Sequence, residues 1–204
     1  MSKYAPREWA PDEKPMLPGS PSTPAHPTRI RIAYLVVGIL VTITGGLGNA
    51  LVSVNLLHLQ GVMGATQTEV AWLPAAYVMA NASMNLLLVK FRQQFGLRLF
   101  TEFFLVLYAL VTFAHLLVGG LGSAIAVRAA HGMLAAALST LGLYYTLQAF
   151  KKVWRLKGIT IALGVAQLSL PLAYIFSSDL LQLAEWNGLY LFELGLTLVS
   201  LGAV

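Results

Sequence analysis

The sequence predicts an all-α integral membrane protein, and three observations lead to that class. Apolar residues make up 57% of the 204-residue chain and charged residues only 10%, against about 25% charged residues in soluble domains. A soluble protein with so few charges would have too little polar surface to face water. Several stretches reach the roughly 20 apolar residues that a helix needs to cross a bilayer. The basic residues are concentrated between those stretches, as in loops that flank membrane helices.

The N-terminal residues 1–29 are predicted to form a disordered cytoplasmic tail. Seven of the nine prolines lie in residues 1–28, together with serine, threonine, glycine and residues of both charges. A segment of this composition cannot bury enough apolar surface to fold.

Residues 30–204 are predicted to form a bundle of six transmembrane helices. Each span is a long apolar run, and polar or glycine-containing segments separate it from the next. The predicted spans cover residues 32–57, 69–89, 100–118, 124–150, 158–176 and 188–204. The last span lacks the basic flank that closes the second and the fourth, so we expect the chain to be truncated at its C-terminus.

The distribution of lysine and arginine predicts the orientation of the bundle. Twelve of the thirteen basic residues fall in or beside the tail or in the loops after the second and fourth spans, and the opposite loops carry Glu69, Asp179 and Glu185 but no lysine or arginine. The positive-inside rule therefore places the N-terminus and the basic loops in the cytoplasm, for a multi-pass protein of the inner membrane. Because topology accounts for the basic charge, we expect no nucleic-acid partner.

Arg128 is the thirteenth basic residue and lies within the fourth span, in the segment AIAVRAAHG. Charged residues inside membrane spans usually face the bundle interior or a wet cavity, which predicts a functional role. Its depth would also allow the side chain to extend to the outer headgroups, which is the alternative. His131 follows three residues later on the same helical face.

Four segments of the chain match motifs of one family of membrane proteins: the loop VKFRQQFGLRLF, the segment VRAAHG, and the segments TEVAWLPAAYVMANA and EWNGLYLFELGL. They resemble the major facilitator superfamily, closest to its fourteen-span drug:proton antiporter branch. The loop is similar to that family's loop between spans two and three, and VRAAHG is similar to its Arg-x-x-Gln-Gly signature. The other two segments resemble the starts of spans two and six. The resemblance implies that residues 30–204 are the N-terminal six-helix half of a transporter that exports amphipathic, drug-like solutes by alternating access with proton antiport.

The resemblance also implies a conformational latch in the loop after span two. In the family this loop helps to hold the two six-helix halves together, and the matching residues are Arg92, Gln93, Gly96 and Arg98. Gln93 stands where the family has an aspartate, so the latch would be weaker or differently built. A simple basic turn is the alternative. Glu102 lies close enough to pair with Arg98.

Proton coupling needs an ionisable group, and the position of that group differs from the family pattern. The first span of the antiporter branch carries an aspartate where this chain has Gly48 or Asn49. Glu193 is the acidic residue well inside an apolar run, and Thr197 and Ser200 share its helical face. A carboxylate in such a setting can exchange protons near neutral pH. A glutamate that reaches the outer surface or is simply hydrogen-bonded is the alternative.

Polar residues at helical spacing suggest a path for the solute. Asn49 and Ser53 recur four residues apart in the first span, and Tyr77, Asn81 and Asn85 do so in the second. Such stripes either line a binding route or join neighbouring helices by hydrogen bonds.

We expect a protein that is not an enzyme and that binds neither a cofactor nor a metal. The glycine-rich segments lack the lysine of a phosphate-binding loop, and the histidines lack metal-ligand spacing. The expected partners are the lipid bilayer, protons, a small amphipathic solute, and a missing C-terminal half or a second copy. Two alternatives to the exporter remain: a non-transporting membrane scaffold or regulator derived from a transporter half, and a half-size transporter that acts as a dimer.

Overall fold

A computed structural model describes residue 11, residues 26–95 and residues 97–204, and it describes their side chains except at 86–97, 152 and 183. The described residues are mainly helical and contain no strand, which confirms the all-α class. Most of the predicted tail lies outside the described residues, so its disorder stays a prediction.

Eight α-helices form the described part of the chain. They are α1 (Thr28–Val54), α2 (Leu56–Met63), α3 (Gln67–Val70), α4 (Trp72–Phe95), α5 (Leu97–Ala114), α6 (Leu121–Gln148), α7 (Arg155–Gln167) and α8 (Ser169–Ala203). Short 3₁₀ turns at His115–Leu117 and Lys152–Trp154 follow α5 and precede α7. Four helical stretches are long and apolar enough to cross a membrane: Thr28–Val54, Arg98–Leu117, Leu121–Gln148 and Arg155–Gln182.

Breaks between neighbouring helices have local causes. Pro74 has no N–H to bond the carbonyl of Val70, and α3 ends at Val70. Pro171 cannot bond the carbonyl of Gln167 for the same reason, and α7 ends at Gln167. At Asn55 the backbone leaves helical geometry (φ −106°, ψ 17°), which separates α1 from α2.

Helix α8 folds back on itself near Glu185, whose φ of 52° and ψ of −142° are not helical. We call residues 169–183 the first arm and residues 186–203 the second arm. The rings of Phe176 and Phe192, one from each arm, lie 5.2 Å apart. The two arms therefore pack side by side, and the second arm is returned to the centre of the bundle.

Helix α6 is the centre of the bundle and contacts α1, α4, α5 and α7. Small residues bring α1 and α6 close together. A Cβ atom at Gly38 would lie 2.5 Å from the hydroxyl of Thr146, and one at Gly142 would lie 2.1 Å from the hydroxyl of Thr42. Such contacts between small residues are typical of helices packed within membranes.

A buried Arg128–His131–Glu193 cluster as the candidate functional site

Helix α6 directs Arg128 and His131 into the bundle, and both side chains are fully buried. One terminal nitrogen of Arg128 donates to Oδ1 of Asn49 at 2.8 Å, and the other lies 3.4 Å from the carbonyl oxygen of Gly48. The guanidinium carbon also lies 4.5 Å from the ring centre of Tyr77. Arg128 therefore binds to α1 inside the bundle, and its side chain does not reach the surface of the described structure.

The second arm of α8 brings Glu193 to the same place, with 1% of its surface exposed. Its Oε1 accepts a hydrogen bond from the hydroxyl of Tyr108 at 2.5 Å and lies 3.1 Å from Nε2 of His131. Thr197 and Ser200, predicted to share the face of Glu193, are fully buried. Thr197 donates to the main-chain carbonyl of Glu193 at 2.8 Å, so it supports the helix rather than the carboxylate.

Helix α1 leaves room for this carboxylate because it has a glycine at position 48. A Cβ atom at Gly48 would lie 1.9 Å from Oε1 of Glu193 and 2.6 Å from its Cδ. The carboxylate thus occupies the space that a side chain at position 48 would fill. The carboxylate that lies against α1 at position 48 belongs to Glu193 in the second arm of α8 and not to a residue of α1.

The imidazole of His131 joins the buried cation to the buried carboxylate. Its Nδ1 lies 3.2 Å from a terminal nitrogen of Arg128, and its Nε2 faces Glu193. Buried charges are strongly destabilising unless they are paired and hydrogen-bonded. The three predicted residues therefore form one connected polar cluster between apolar helices.

Helix α5 and the 3₁₀ turn that follows it supply further members of the cluster that we did not predict. Tyr108 binds Glu193, and the hydroxyl of Thr112 lies 3.2 Å from Nε2 of His131. The ring of His115 lies 4.9 Å from that of His131 and stacks on Tyr190 at 4.3 Å. Tyr108, Thr112 and His115 are four and three residues apart, so a polar stripe along an apolar helix was the signal that could have found them.

Only two of the five residues predicted to line a solute path lie at the cluster. Asn49 and Tyr77 lie at the cluster. Asn81 donates to a carbonyl oxygen of α6 at 3.2 Å, and Asn85 is exposed and donates to the carbonyl of Asn81. Ser53 is half-buried. The hydrogen bond of Asn81 joins α4 to α6, as in the helix-joining alternative.

The predicted latch is described only in part. Gly96 and the side chains of Arg92 and Gln93 lie outside the described residues. Arg98 is exposed, and its Nε lies 2.7 Å from Oε1 of Glu102 one helical turn later. This ion pair is the pairing predicted from the sequence.

A shallow groove of about 360 Å³ lies between α4 and α6. Met79, Met84 and Met133 line it together with three alanines and Ser83. Methionine side chains are flexible and polarisable, so they adapt to apolar molecules of different shape. The groove offers mainly apolar contacts and one hydroxyl.

Within the described part of the chain, no three histidine, aspartate or glutamate side chains are grouped so that they could hold a metal ion. No protein-family model matches the sequence, and no curated protein matches it. The candidate site is therefore defined by its geometry.

Proposed function

We propose that this chain is the N-terminal six-helix half of a proton-driven membrane exporter of the major facilitator type. The observation that carries the proposal is the burial of Arg128, His131 and Glu193 together between apolar helices. Ionisable residues are expensive inside a membrane, and those found there commonly belong to proton or substrate pathways.

The proposal includes six membrane spans. Four are the long apolar stretches described above, and the other two are α4 and the second arm of α8. Six spans would place both ends of the chain in the cytoplasm, at the inner membrane. A reporter enzyme that is active only outside the cytoplasm should stay silent when fused after Val204, and strong activity there would refute this topology.

Glu193 is the proposed proton-binding group. Its carboxylate is linked to the Arg128 cation through the ring of His131. A proton on this carboxylate would remove the negative charge that balances Arg128, and so would change the contact between α6 and the second arm. Alternation between two arrangements of packed helices is how such a change can drive transport.

The proposed solute is amphipathic and drug-like. The methionine-lined groove between α4 and α6 supports this choice, because it combines an adaptable apolar surface with the hydroxyl of Ser83. Arg128 and Asn49 would provide polar contacts if the cluster opened toward the solute.

The test is ethidium transport by membrane vesicles that contain the intact protein carrying this sequence. Wild-type vesicles should move ethidium when a proton gradient is applied. Glu193→Gln should lower the gradient-driven rate of ethidium movement at least tenfold and leave ethidium binding unchanged, because the amide cannot carry the proton. Asp179→Asn is the matched control, since that carboxylate is exposed, and it should transport like the wild type.

The other outcomes separate the alternatives. Absence of gradient-driven ethidium movement in the wild type would refute the exporter and favour a scaffold. Movement by the 204-residue chain alone would favour the half-size transporter that acts as a dimer.

A further inference from the structure

We propose that His131 is the positioning residue that passes proton binding at Glu193 to Arg128, because its Nδ1 can hold Arg128 against α1 only while it carries no hydrogen. The inference rests on the proposed function, since it assigns the step by which the same cluster would convert a proton into helix movement. The ring of His131 lies between the guanidinium of Arg128 and the carboxylate of Glu193.

The neighbours of His131 determine which ring nitrogen carries the hydrogen. Every nitrogen of the Arg128 guanidinium is a hydrogen-bond donor and none is an acceptor. Nδ1 of His131 lies 3.2 Å from a terminal nitrogen of Arg128, so it must be the acceptor of that bond. The single hydrogen of the neutral ring is therefore on Nε2, where it can be donated to Oε1 of Glu193 at 3.1 Å, while the hydroxyl of Thr112 lies 3.2 Å from the same nitrogen.

One further proton changes the role of Nδ1. The space between Nε2 and Oε1 of Glu193 already holds one hydrogen, whichever of the two atoms it is bonded to. If the added proton is taken up by this pair, the ring carries a hydrogen on Nδ1. The ring is then either an imidazolium that donates from Nε2 to Glu193, or the neutral tautomer that accepts at Nε2 from the protonated carboxyl of Glu193. An N–H at Nδ1 then faces an N–H of Arg128, and the hydrogen bond between them is lost.

The groups around His131 are the ones that would bias this step. They come from its own helix, from α5 and its following turn, from α4 and from the second arm: Arg128, Tyr108, His115, Tyr77 and Glu193. Helix α1 contributes the uncharged amide of Asn49, which binds Arg128. Arg128 and Glu193 are the charged groups among them, and one lies at each ring nitrogen of His131.

Movement of Arg128 would reach α1 directly. The nitrogen that binds His131 also lies 3.4 Å from the carbonyl oxygen of Gly48, and the other binds Asn49. Loss of the bond to His131 would therefore loosen the contact between α6 and α1. Both helices are among the long apolar stretches of the chain.

The first experiment reads the hydrogen positions in the wild-type protein. The 204-residue chain is labelled with ¹⁵N-histidine in lipid nanodiscs, and its ring nitrogens are followed by NMR as the pH is lowered. His26→Asn and His58→Asn remove the two histidines outside the cluster. His115 should carry its hydrogen on Nδ1, which lies 3.0 Å from the carbonyl oxygen of Val111, whereas His131 should carry it on Nε2.

The two remaining histidines can thus be told apart by their tautomers. On acidification, a hydrogen should appear on Nδ1 of His131 in the pH range in which transport responds to the gradient. The inference is overturned if Nδ1 of His131 is already protonated at high pH. It is also overturned if Nδ1 stays unprotonated throughout, which would place the proton on the second oxygen of Glu193.

The second experiment uses His131→Gln, with His131→Leu as its contrast. Glutamine can accept from Arg128 and donate to Glu193, but it cannot take up a proton. Because the chain contains no cysteine, spin labels can be placed at Leu57 in α2 and Ser123 in α6, both exposed. A second distance population should grow as the pH falls in the wild type and be absent in His131→Gln. His131→Leu should lose the high-pH distance as well.

The outcomes distinguish this inference from the proposed function. If His131→Gln keeps the pH-dependent distance while wild-type vesicles move ethidium, the inference fails and the exporter stands. If the wild type shows the distance change but moves no ethidium, the exporter fails and the switch stands. If His131→Gln does not fold, the NMR experiment on the wild-type ring decides.

Discussion

Replacing Gly48 by alanine should displace the carboxylate of Glu193 and destabilise the bundle. The added Cβ would lie 1.9 Å from Oε1 and 2.9 Å from Oε2 of Glu193, so the two groups cannot occupy their places together. Glu193 is the end of a flexible side chain, but Tyr108 and His131 hold its Oε1. Moving the carboxylate therefore breaks the hydrogen bonds that join the second arm to α5 and α6.

The size of the effect follows from those two contacts. Hydrogen bonds to a charged group contribute about 1.5–3 kcal/mol each, so losing both costs about 3–6 kcal/mol. Alanine is favoured over glycine inside a helix by about 1 kcal/mol, which offsets part of that loss. The expected decrease in the free energy of unfolding is thus about 2–5 kcal/mol. In a Glu193→Ala background the clash is gone, and Gly48→Ala should cost nothing further.

Reversible unfolding in mixed micelles, followed by helical circular dichroism, measures both effects. Gly195→Ala is the matched control, because it lies on the second arm and a Cβ there would meet no atom within 4 Å. It should leave stability unchanged or raise it by up to about 1 kcal/mol. The reasoning is refuted if Gly48→Ala is as stable as the wild type, or if its effect simply adds to that of Glu193→Ala.

Three further predictions follow from other contacts. Gly132→Ala should destabilise the protein more than Gly48→Ala, because its Cβ would lie 2.2 Å from the main-chain oxygen of Tyr77. A backbone cannot move aside as a side chain can. Equal thermal unfolding temperatures of the two variants would contradict this. Arg128→Lys should lower ethidium transport at least about tenfold at normal abundance, because lysine lacks the planar fork that reaches two acceptors at once, and wild-type transport would show that a point charge suffices. Two hydrogen bonds from Thr66 lower the pKa of Glu69 in α3: the larger effect is that of the backbone N–H of Thr66, and the smaller is that of its hydroxyl. These hydrogen bonds between Thr66 and Glu69 cap the start of α3. Since the pKa of Glu69 is lower in the folded than in the unfolded state, their contribution to stability is present above the unfolded pKa and is lost as the pH falls through the folded pKa. Hydrogen-exchange protection of α3 should therefore decrease on acidification in the wild type, and a similar decrease in Glu69→Gln would exclude this explanation.

The sequence by itself determined the helical class and several local features of the site. Composition and the lengths of the apolar runs indicate membrane helices. The three-residue spacing of Arg128 and His131 places them on one face of α6. The spacing of Glu193, Thr197 and Ser200 likewise predicts one common face of the second arm, and all three are buried. These features depend on helical periodicity, which neighbouring residues fix.

The tertiary structure alone decided which faces meet. Helical periodicity says that Glu193 points inward, but not that its carboxylate lies against Gly48 or binds Tyr108. Likewise, the sequence does not pair His115 with His131, because His115 lies in the turn after α5 and His131 lies in α6, yet their rings are 4.9 Å apart. The partner of a buried polar face is chosen by the close packing of small residues between helices and by the need to pair every buried charge. Both conditions join residues that are distant in sequence, so they appear only once the helices are assembled.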